Sequence, residues 1–416
     1  MESVDFFLRR CVVIDGSDLH FKTDTGKAYI RVHGDLHEVE APEFTHEEFK
    51  QALFQVLTKH QVEKFERDLE LDFAYEVKGV SRFRGNIYQQ RGNVQAAFRV
   101  IPYDIQSMAD LHLPPACYDF IERPRGLVLV TGPAGSGKTT TLAAMIDQIN
   151  RTQPLHIVTV EDPVEFVHED HLALINQREV DVDTLSFANA LKFVLRQDPD
   201  VILVGEMRDL DTIHLAITAA ETGHLVFGTL HTIDSIQTVD RIIDVFPTHQ
   251  QQQIRMQLSV NLVGVVSQTL VKRKDGRGRV AAHEVMVATG AVRNLIRESK
   301  SYQIGSLIQT GSRQKMNTLD QALASLVDRS LVAKEDARQR AKDPAEFDRL
   351  LSLDASQRPQ VGPRPAPLHH PLHQPTLSPN PAVLPPTADP LAEHPVAPPP
   401  VAGVRGQPNR PQFKRD

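Results

Sequence analysis

The chain has only two cysteines, Cys11 and Cys117, in 416 residues. Two cannot build a four-cysteine zinc site, and they suggest no disulfide framework. No apolar run approaches the ~18 residues needed to span a bilayer. The opening Met1-Glu2-Ser3-Val4-Asp5 is acidic and lacks the basic-then-apolar order of a signal peptide. A cytosolic, reducing setting is therefore expected. Basic excess is missing too. The formal net charge is −7, which speaks against a whole-chain nucleic-acid binder. Proline is sparse through the first 351 residues, yet seventeen of the 28 fall in residues 352–416. That stretch is rich in Pro, His, Ala and Leu without periodicity, so it reads as a disordered tail. No internal repeat is visible at a spacing of roughly 20–50 residues.

What remains is long enough for two or three domains. Residues 1–101 read as a small α+β domain. Within it Ala28-Tyr29-Ile30-Arg31-Val32 is a short strand, and residues 45–67 carry helical spacing at Phe49, Leu53, Phe54 and Leu57. Phe73, Tyr75 and Val77 alternate with polar neighbours, as in a half-buried strand, and residues 81–91 continue that style. Residues 102–124 read as a linker punctuated by Pro102, Pro114, Pro115 and Pro124. From 125 to 351, apolar strands at 127–131, 156–160, 201–205 and 225–230 alternate with helical patterns. That is the signature of a mostly parallel sheet covered by helices. Residues 264–351 read as helical.

The chemistry starts at Gly132-Pro133-Ala134-Gly135-Ser136-Gly137-Lys138-Thr139, with Thr140 next. It fits G-x-x-x-x-G-K-[ST] at each fixed position. It follows the run Leu127-Val128-Leu129-Val130 and precedes a helical pattern, the setting a phosphate-binding loop needs. Glycines let backbone N–H groups curl toward phosphates, and a helix N-terminus adds its positive dipole end. Lys138 is expected to reach the β- and γ-phosphates, and the Thr139 hydroxyl to hold Mg²⁺. ATP and Mg²⁺ are the cofactors this loop implies.

Three further groups stand out. Asp200-Val201-Ile202-Leu203-Val204-Gly205-Glu206 is a buried strand ending in an acid, placed to orient water or hold a metal shell. Ile157-Val158-Thr159-Val160-Glu161-Asp162-Pro163-Val164-Glu165 is a second such strand. Glu161 and Asp162 rank above Glu165 as metal ligands, because Mg²⁺ takes only one or two carboxylates. His224 and His231 bracket a third strand, roughly 20 Å apart, too far to share a metal. His231 falls at the end where it could sense a γ-phosphate, and His224 is expected to touch a neighbouring element. Lastly, Arg82, Arg84 and Asn86 share one face of a strand whose other face carries Phe83 and Ile87, and Arg91 follows. Clustered arginines call for an anion, and a phosphate at a neighbouring subunit's site would serve.

As a set these motifs resemble the secretion ATPase family of RecA-like hexameric motors, and within it the pilus-retraction branch. The resemblance covers nearly all of residues 1–351. Residues 132–139 match its Walker A and 201–206 its Walker B. Residues 159–165 match its aspartate box, 222–232 its histidine box, 81–91 its arginine-bearing strand, and Ser17-Asp18-Leu19-His20 its N-terminal signature. Ala291-Val292-Arg293-Asn294-Leu295-Ile296-Arg297-Glu298 closely resembles the A-I-R-N-L-I-R-E signature of the retraction branch. Read physically, it is an amphipathic helix with Arg293 and Arg297 on a basic stripe. Ala134, Thr139 and Val292 are modest departures.

The resemblance implies an α/β fold: a RecA-like P-loop NTPase core with a smaller, PAS-like N-terminal α+β domain. It implies an ATPase in a homohexameric ring, with Arg82, Arg84 or Arg91 near a neighbour's γ-phosphate. Glu206, Glu161, Lys138 and His231 would complete the catalytic set. The expected partners are an inner-membrane pilus platform protein and paralogous pilus ATPases. The motor would stay cytoplasmic at the inner face of the membrane, at the pilus base, touching the membrane only through that partner. An extension or secretion motor, an auxiliary ring subunit and a nucleic-acid translocase are the competing readings.

Overall fold

The computed structural model describes residues 2–32, 35–101, 105–276 and 278–353. The expected disordered tail, apart from residues 352 and 353, and the expected linker's residues 102–104 lie outside the described residues.

Two sheets organise the chain. The first belongs to α1 (Val4–Val13), β1 (Gly16–Lys22), β2 (Lys27–Val32), β3 (Asp35–Glu38), α2 (His46–Phe54), α3 (Lys59–Asp68), β4 (Glu70–Val77), β5 (Ser81–Gln90) and β6 (Asn93–Ile101). Its order is β3-β2-β1-β6-β5-β4, with all neighbours antiparallel. Thr45 and Thr58 open α2 and α3 with capping boxes, each side chain taking the N–H three residues on. One face of the sheet buries Leu19, Phe21, Phe73, Phe83 and Phe98 against Phe7 and Phe49 from α1 and α2. The other face leaves β5's Arg82, Arg84 and Asn86 half-buried, as the alternation requires.

The second sheet is built from α4 (Pro115–Ile121), β7 (Gly126–Thr131), α5 (Lys138–Thr152), β8 (His156–Glu161), β9 (Leu174–Glu179), α6 (Phe187–Val194), β10 (Val201–Val204), α7 (Leu210–Glu221), β11 (Leu225–Leu230), α8 (Ser235–Asp244), α9 (Thr248–Asn261), β12 (Leu262–Lys272) and β13 (Arg279–Val287). Then follow α10 (Gly290–Arg297), α11 (Ile304–Thr310), α12 (Leu319–Asp328), α13 (Lys334–Arg338) and α14 (Pro344–Ser352). Strand order is β13-β12-β7-β11-β10-β8-β9, parallel except for β13. Leu127 and Leu129 join one core, with Ile213, Ile217 and Ile243 of the covering helices. Val128 and Val130 join the other, with Phe120, Met145 and Ile149. Both faces are therefore covered, which is why these strands read as unbroken apolar runs.

The same fact corrects the sequence reading of residues 264–351. That segment opens with two strands, β12 and β13, before turning helical at α10. Val265 and Val266 fall into opposite cores, so both parities of β12 are apolar and its period of two is hidden. The edge strand β9 and helix α4 were also missed. No described helix is long and apolar enough to cross a membrane.

Candidate nucleotide site

Parallel pairing lines up four strand ends on one edge of the second sheet. In spatial order they are β7, β11, β10 and β8, and they deliver the loop at 132–139, then His231, Glu206 and Glu161. Hydrogen bonds stitch the row together. Thr229 Oγ1 donates to the Gly205 carbonyl at 2.5 Å, and the Gly205 N–H to Val160 at 2.8 Å. Ligands of open α/β sheets sit at such carboxyl ends.

The loop has the shape its glycines allow. Gly132 has φ +144°, and a Cβ there would stand 2.3 Å from the Gln268 carbonyl oxygen. Gly137 caps α5 at φ +88°. Pro133, Ala134 and Gly135 are exposed, while Ser136 is buried with its Oγ unpartnered. Lys138 Nζ turns back on the loop, donating to the carbonyls of Gly132 (2.9 Å) and Pro133 (3.3 Å). Burial holds its ammonium below the usual lysine range, against the pull of Glu206 and Glu165. Thr139 and Thr140 lie half-buried on the first turn of α5.

A residue outside the loop holds it. Ser267 of β12 pairs with Thr131 of β7, which sets Gln268 beside the loop. Gln268 Nε2 donates to the Ser136 carbonyl at 2.6 Å, and its Oε1 accepts from Thr141 Oγ1 at 2.9 Å. Sequence reasoning missed Gln268 because β12 was read as helix.

The two acids differ. Glu161 is buried beneath the row, accepting from Thr159 Oγ1 at 2.6 Å and Gln177 Nε2 at 3.2 Å. Burial pushes its carboxyl up to about 7. Glu206 faces the site between Arg208 and His231. Arg208 Nη2 reaches its Oε2 at 2.6 Å, and His231 Nε2 stands 2.9 Å from its Oε1. Burial pulls its pKa up, but the Arg208 bond and His231 hold it below the usual carboxylate range. Asp162 is exposed, and burial and Asp181 raise it against Arg208 and Arg84. His224 stays at the other end of β11, its Nδ1 2.9 Å from the Ala219 carbonyl of α7.

The arginines of β5 face the same chain. Arg82 Nη2 binds Glu179 Oε2 of β9 at 2.5 Å, and Lys64 Nζ binds Asp181 at 2.7 Å. Arg84 Nη1 lies 4.0 Å from Glu165 Oε1, and Glu165 is one of the charges acting on Lys138. Arg82 and Arg84 thus each have a carboxylate of their own chain within ion-pair reach. Arg91 stays apart, exposed in the β5–β6 turn at φ +52°. It is roughly 30 Å along the strand from Arg82. Arg208 and Glu179 were also missed. Arg208 looks like a loop charge in the sequence, and Glu179 ends a strand that alternates only weakly.

A phosphate loop after one parallel strand, with acids on the neighbouring strand ends, defines a P-loop nucleotide-binding protein. The chain belongs to the type II/IV secretion system protein family, whose model matches residues 2–338. A twitching motility protein of Neisseria gonorrhoeae is 54% identical over 314 residues, covering 76% of this chain and 84% of its own. The type IV pilus retraction ATPase PilT of Pseudomonas aeruginosa is 51% identical over 331 residues, covering 80% of this chain and 96% of that protein. A crystal structure of the pilus retraction motor PilT with bound ADP matches at a TM-score of 0.78 and 43% identity, covering 84% of this chain and 100% of that one.

Proposed function

We propose that this chain is an ATP-hydrolysing motor that powers type IV pilus retraction. One observation carries the reading: the loop, His231, Glu206 and Glu161 share one sheet edge in a chain so similar to a pilus retraction ATPase. The loop's N–H groups and Lys138 bind the phosphates, with Lys138 moving from the loop carbonyls to the β- and γ-oxygens. The buried, unpartnered Ser136 Oγ supports a phosphate-facing loop that awaits a partner. Glu206 is ionised at neutral pH and orients or deprotonates the attacking water. Arg208 and His231 fix its angle.

Among the described residues no three or more His, Cys, Asp or Glu side chains are grouped to hold a metal by themselves. Mg²⁺ needs no such group, since it binds through one or two carboxylates together with substrate phosphates, and Glu206 stands at the strand-end edge that carries the phosphate loop. Thr139, Glu161 and Glu206 would hold it, with Asp162 next. Bound there, the ion neutralises charge on the β- and γ-oxygens.

The working assembly is a homohexameric ring. Its moving bodies are the domain at 1–101 and the ATPase domain at 125–351, joined by the linker at 102–124. Loss of the γ-phosphate removes charge that holds them closed, and reopening around the ring is the stroke. Arg84 acts on its own chain's nucleotide, because its present partner Glu165 also acts on Lys138. Arg82, paired with Glu179 of the edge strand β9, holds β5 in place for it. Arg91, far from that cluster, is left to face a neighbour. The motor works in the cytoplasm at the pilus base, on an inner-membrane platform protein, with paralogous pilus ATPases as companions.

The test is a surface pilus count with surface motility in cells carrying Glu206→Ala. Many pili with lost motility are expected. Bald cells would mean that the motor extends filaments, and no change in either would assign an auxiliary role.

A further inference from the structure

A cavity of about 420 Å³ opens beside Gly126, at the amino-terminal start of β7. The phosphate loop lies at the strand's other end, roughly 20 Å away. Arg123, Arg125 and Arg293 line the cavity, and no carboxylate does. Arg293 was expected on an exposed basic stripe. Instead it turns inward, donating to the carbonyls of Ala288 and Leu262 at 2.8 Å, of Ser259 at 3.0 Å, and of Val260. It thereby closes the C-terminus of α9 and leaves that end without its usual negative potential. Arg123 and Arg297 crowd it: burial first, then those two charges, hold Arg293 below the usual arginine range. Asn261, also on the lining, has a buried Nδ2 with no acceptor. The polar side-chain groups facing this cavity are thus mainly donors, most of them charged.

The lining is not uniformly polar. Val260 is 60% exposed at its edge, and Met256, one turn back on α9, is 46% exposed. Glu221 approaches α9 on another side, where Gln257 Nε2 donates to it at 2.8 Å. Charge of one sign beside uncovered apolar side chains matches a ligand that carries both carboxylates and apolar groups.

We propose that this cavity docks an acidic, partly apolar peptide segment of a partner protein. Carboxylates meet Arg123 and Arg125, an amide oxygen or carboxylate satisfies Asn261 Nδ2, and an apolar side chain covers Val260. The inference stands apart from the retraction reading, since it uses none of the nucleotide-site residues.

The test uses the full chain saturated with ADP, so that the phosphate loop is filled. The probe is a fluorescein-labelled peptide of Glu and Leu, followed by anisotropy beside its Gln-for-Glu counterpart. Arg123→Gln combined with Arg125→Gln should weaken the acidic peptide by about tenfold or more, since two charge pairs are lost. Val260→Glu should do the same by repulsion. All three positions are exposed or at the cavity edge, and an unchanged unfolding temperature will show that the variants are folded. The proposal is overturned if the Gln peptide binds as well as the Glu peptide. Variants that bind like the parent also overturn it. So does displacement of the peptide by equimolar pyrophosphate, which would make this a simple phosphate site.

Discussion

Gln268 ties the phosphate loop to the following helix with a single amide, bonding Ser136 on one side and Thr141 on the other. Replacing it with Ala strands a buried hydroxyl and a buried carbonyl, at about 1–3 kcal/mol. The expected result is ADP binding weakened about tenfold or more, read by titration with a fluorescent ADP analogue. Unchanged affinity would mean that the glycines alone set the loop. Across the β12–β13 pair, Gln268 stands opposite His283, which burial holds down to about 4. The folded chain keeps His283 neutral, while the unfolded chain protonates it below about 6.5. Stability from this group is therefore complete above pH 6.5 and is lost as pH falls toward 4, to a limit of about 3 kcal/mol. Burial depresses His168 in the same way, so the two sites add. Melting temperatures from pH 7 to about 4.5 should fall less steeply in His283→Gln than in the parent. Parallel curves would remove His283 as a source of acid sensitivity.

At the scale of elements, legibility followed burial. The strands at 127–131 and 225–230 were visible because apolar runs stand next to glycine signals. β12 and β13 were not, because burial on both faces erases the alternation that marks a strand. The same loss hid Gln268. Among site residues, Lys138, Glu206 and Glu161 were readable because a fixed motif or a strand end marks them. Arg208 and Glu179 matter only through partners that folding brings together. The β5–β9 contact shows this best. Glu179 is buried, its carboxyl raised by burial against the pull of the Val164 N–H and Arg82. Removing Arg82 leaves that carboxylate with the Val164 N–H alone, and because Arg82 is partly exposed the loss is up to about 3 kcal/mol, the lower end for a buried pair. Glu179→Gln keeps an acceptor for the Val164 N–H and should cost less. Hydrogen exchange should therefore speed up at β5 and β9 in Arg82→Ala, and less in Glu179→Gln. Equal exchange in parent and Arg82→Ala would show that the contact holds nothing together.

At the scale of the whole molecule, the question is whose nucleotide the β5 arginines serve. A basic strand alone suggested a neighbour, since fingers in trans are a common use of arginine. The folded chain offers a shorter route. Arg84 touches Glu165, Glu165 acts on Lys138, and Asp162 feels both Arg84 and Arg208. Each of these links is internal to one chain. The Arg84–Glu165 pair is exposed on both sides and therefore weak, so a γ-phosphate can displace the carboxylate at little cost. Mixing two inactive variants separates the alternatives. Lys138→Ala cannot bind phosphates, and Arg84→Ala lacks the arginine. If arginines act across the interface, mixed rings contain intact sites, each pairing Lys138 of one chain with Arg84 of the next. If they act within the chain, no mixture rebuilds a site, whatever the ratio. The expected outcome is no recovery of phosphate release on mixing, while parent chains mixed with either variant retain activity in proportion to their share. Recovery in the variant mixture would transfer Arg84 to the neighbouring subunit and make the present contact with Glu165 a resting position.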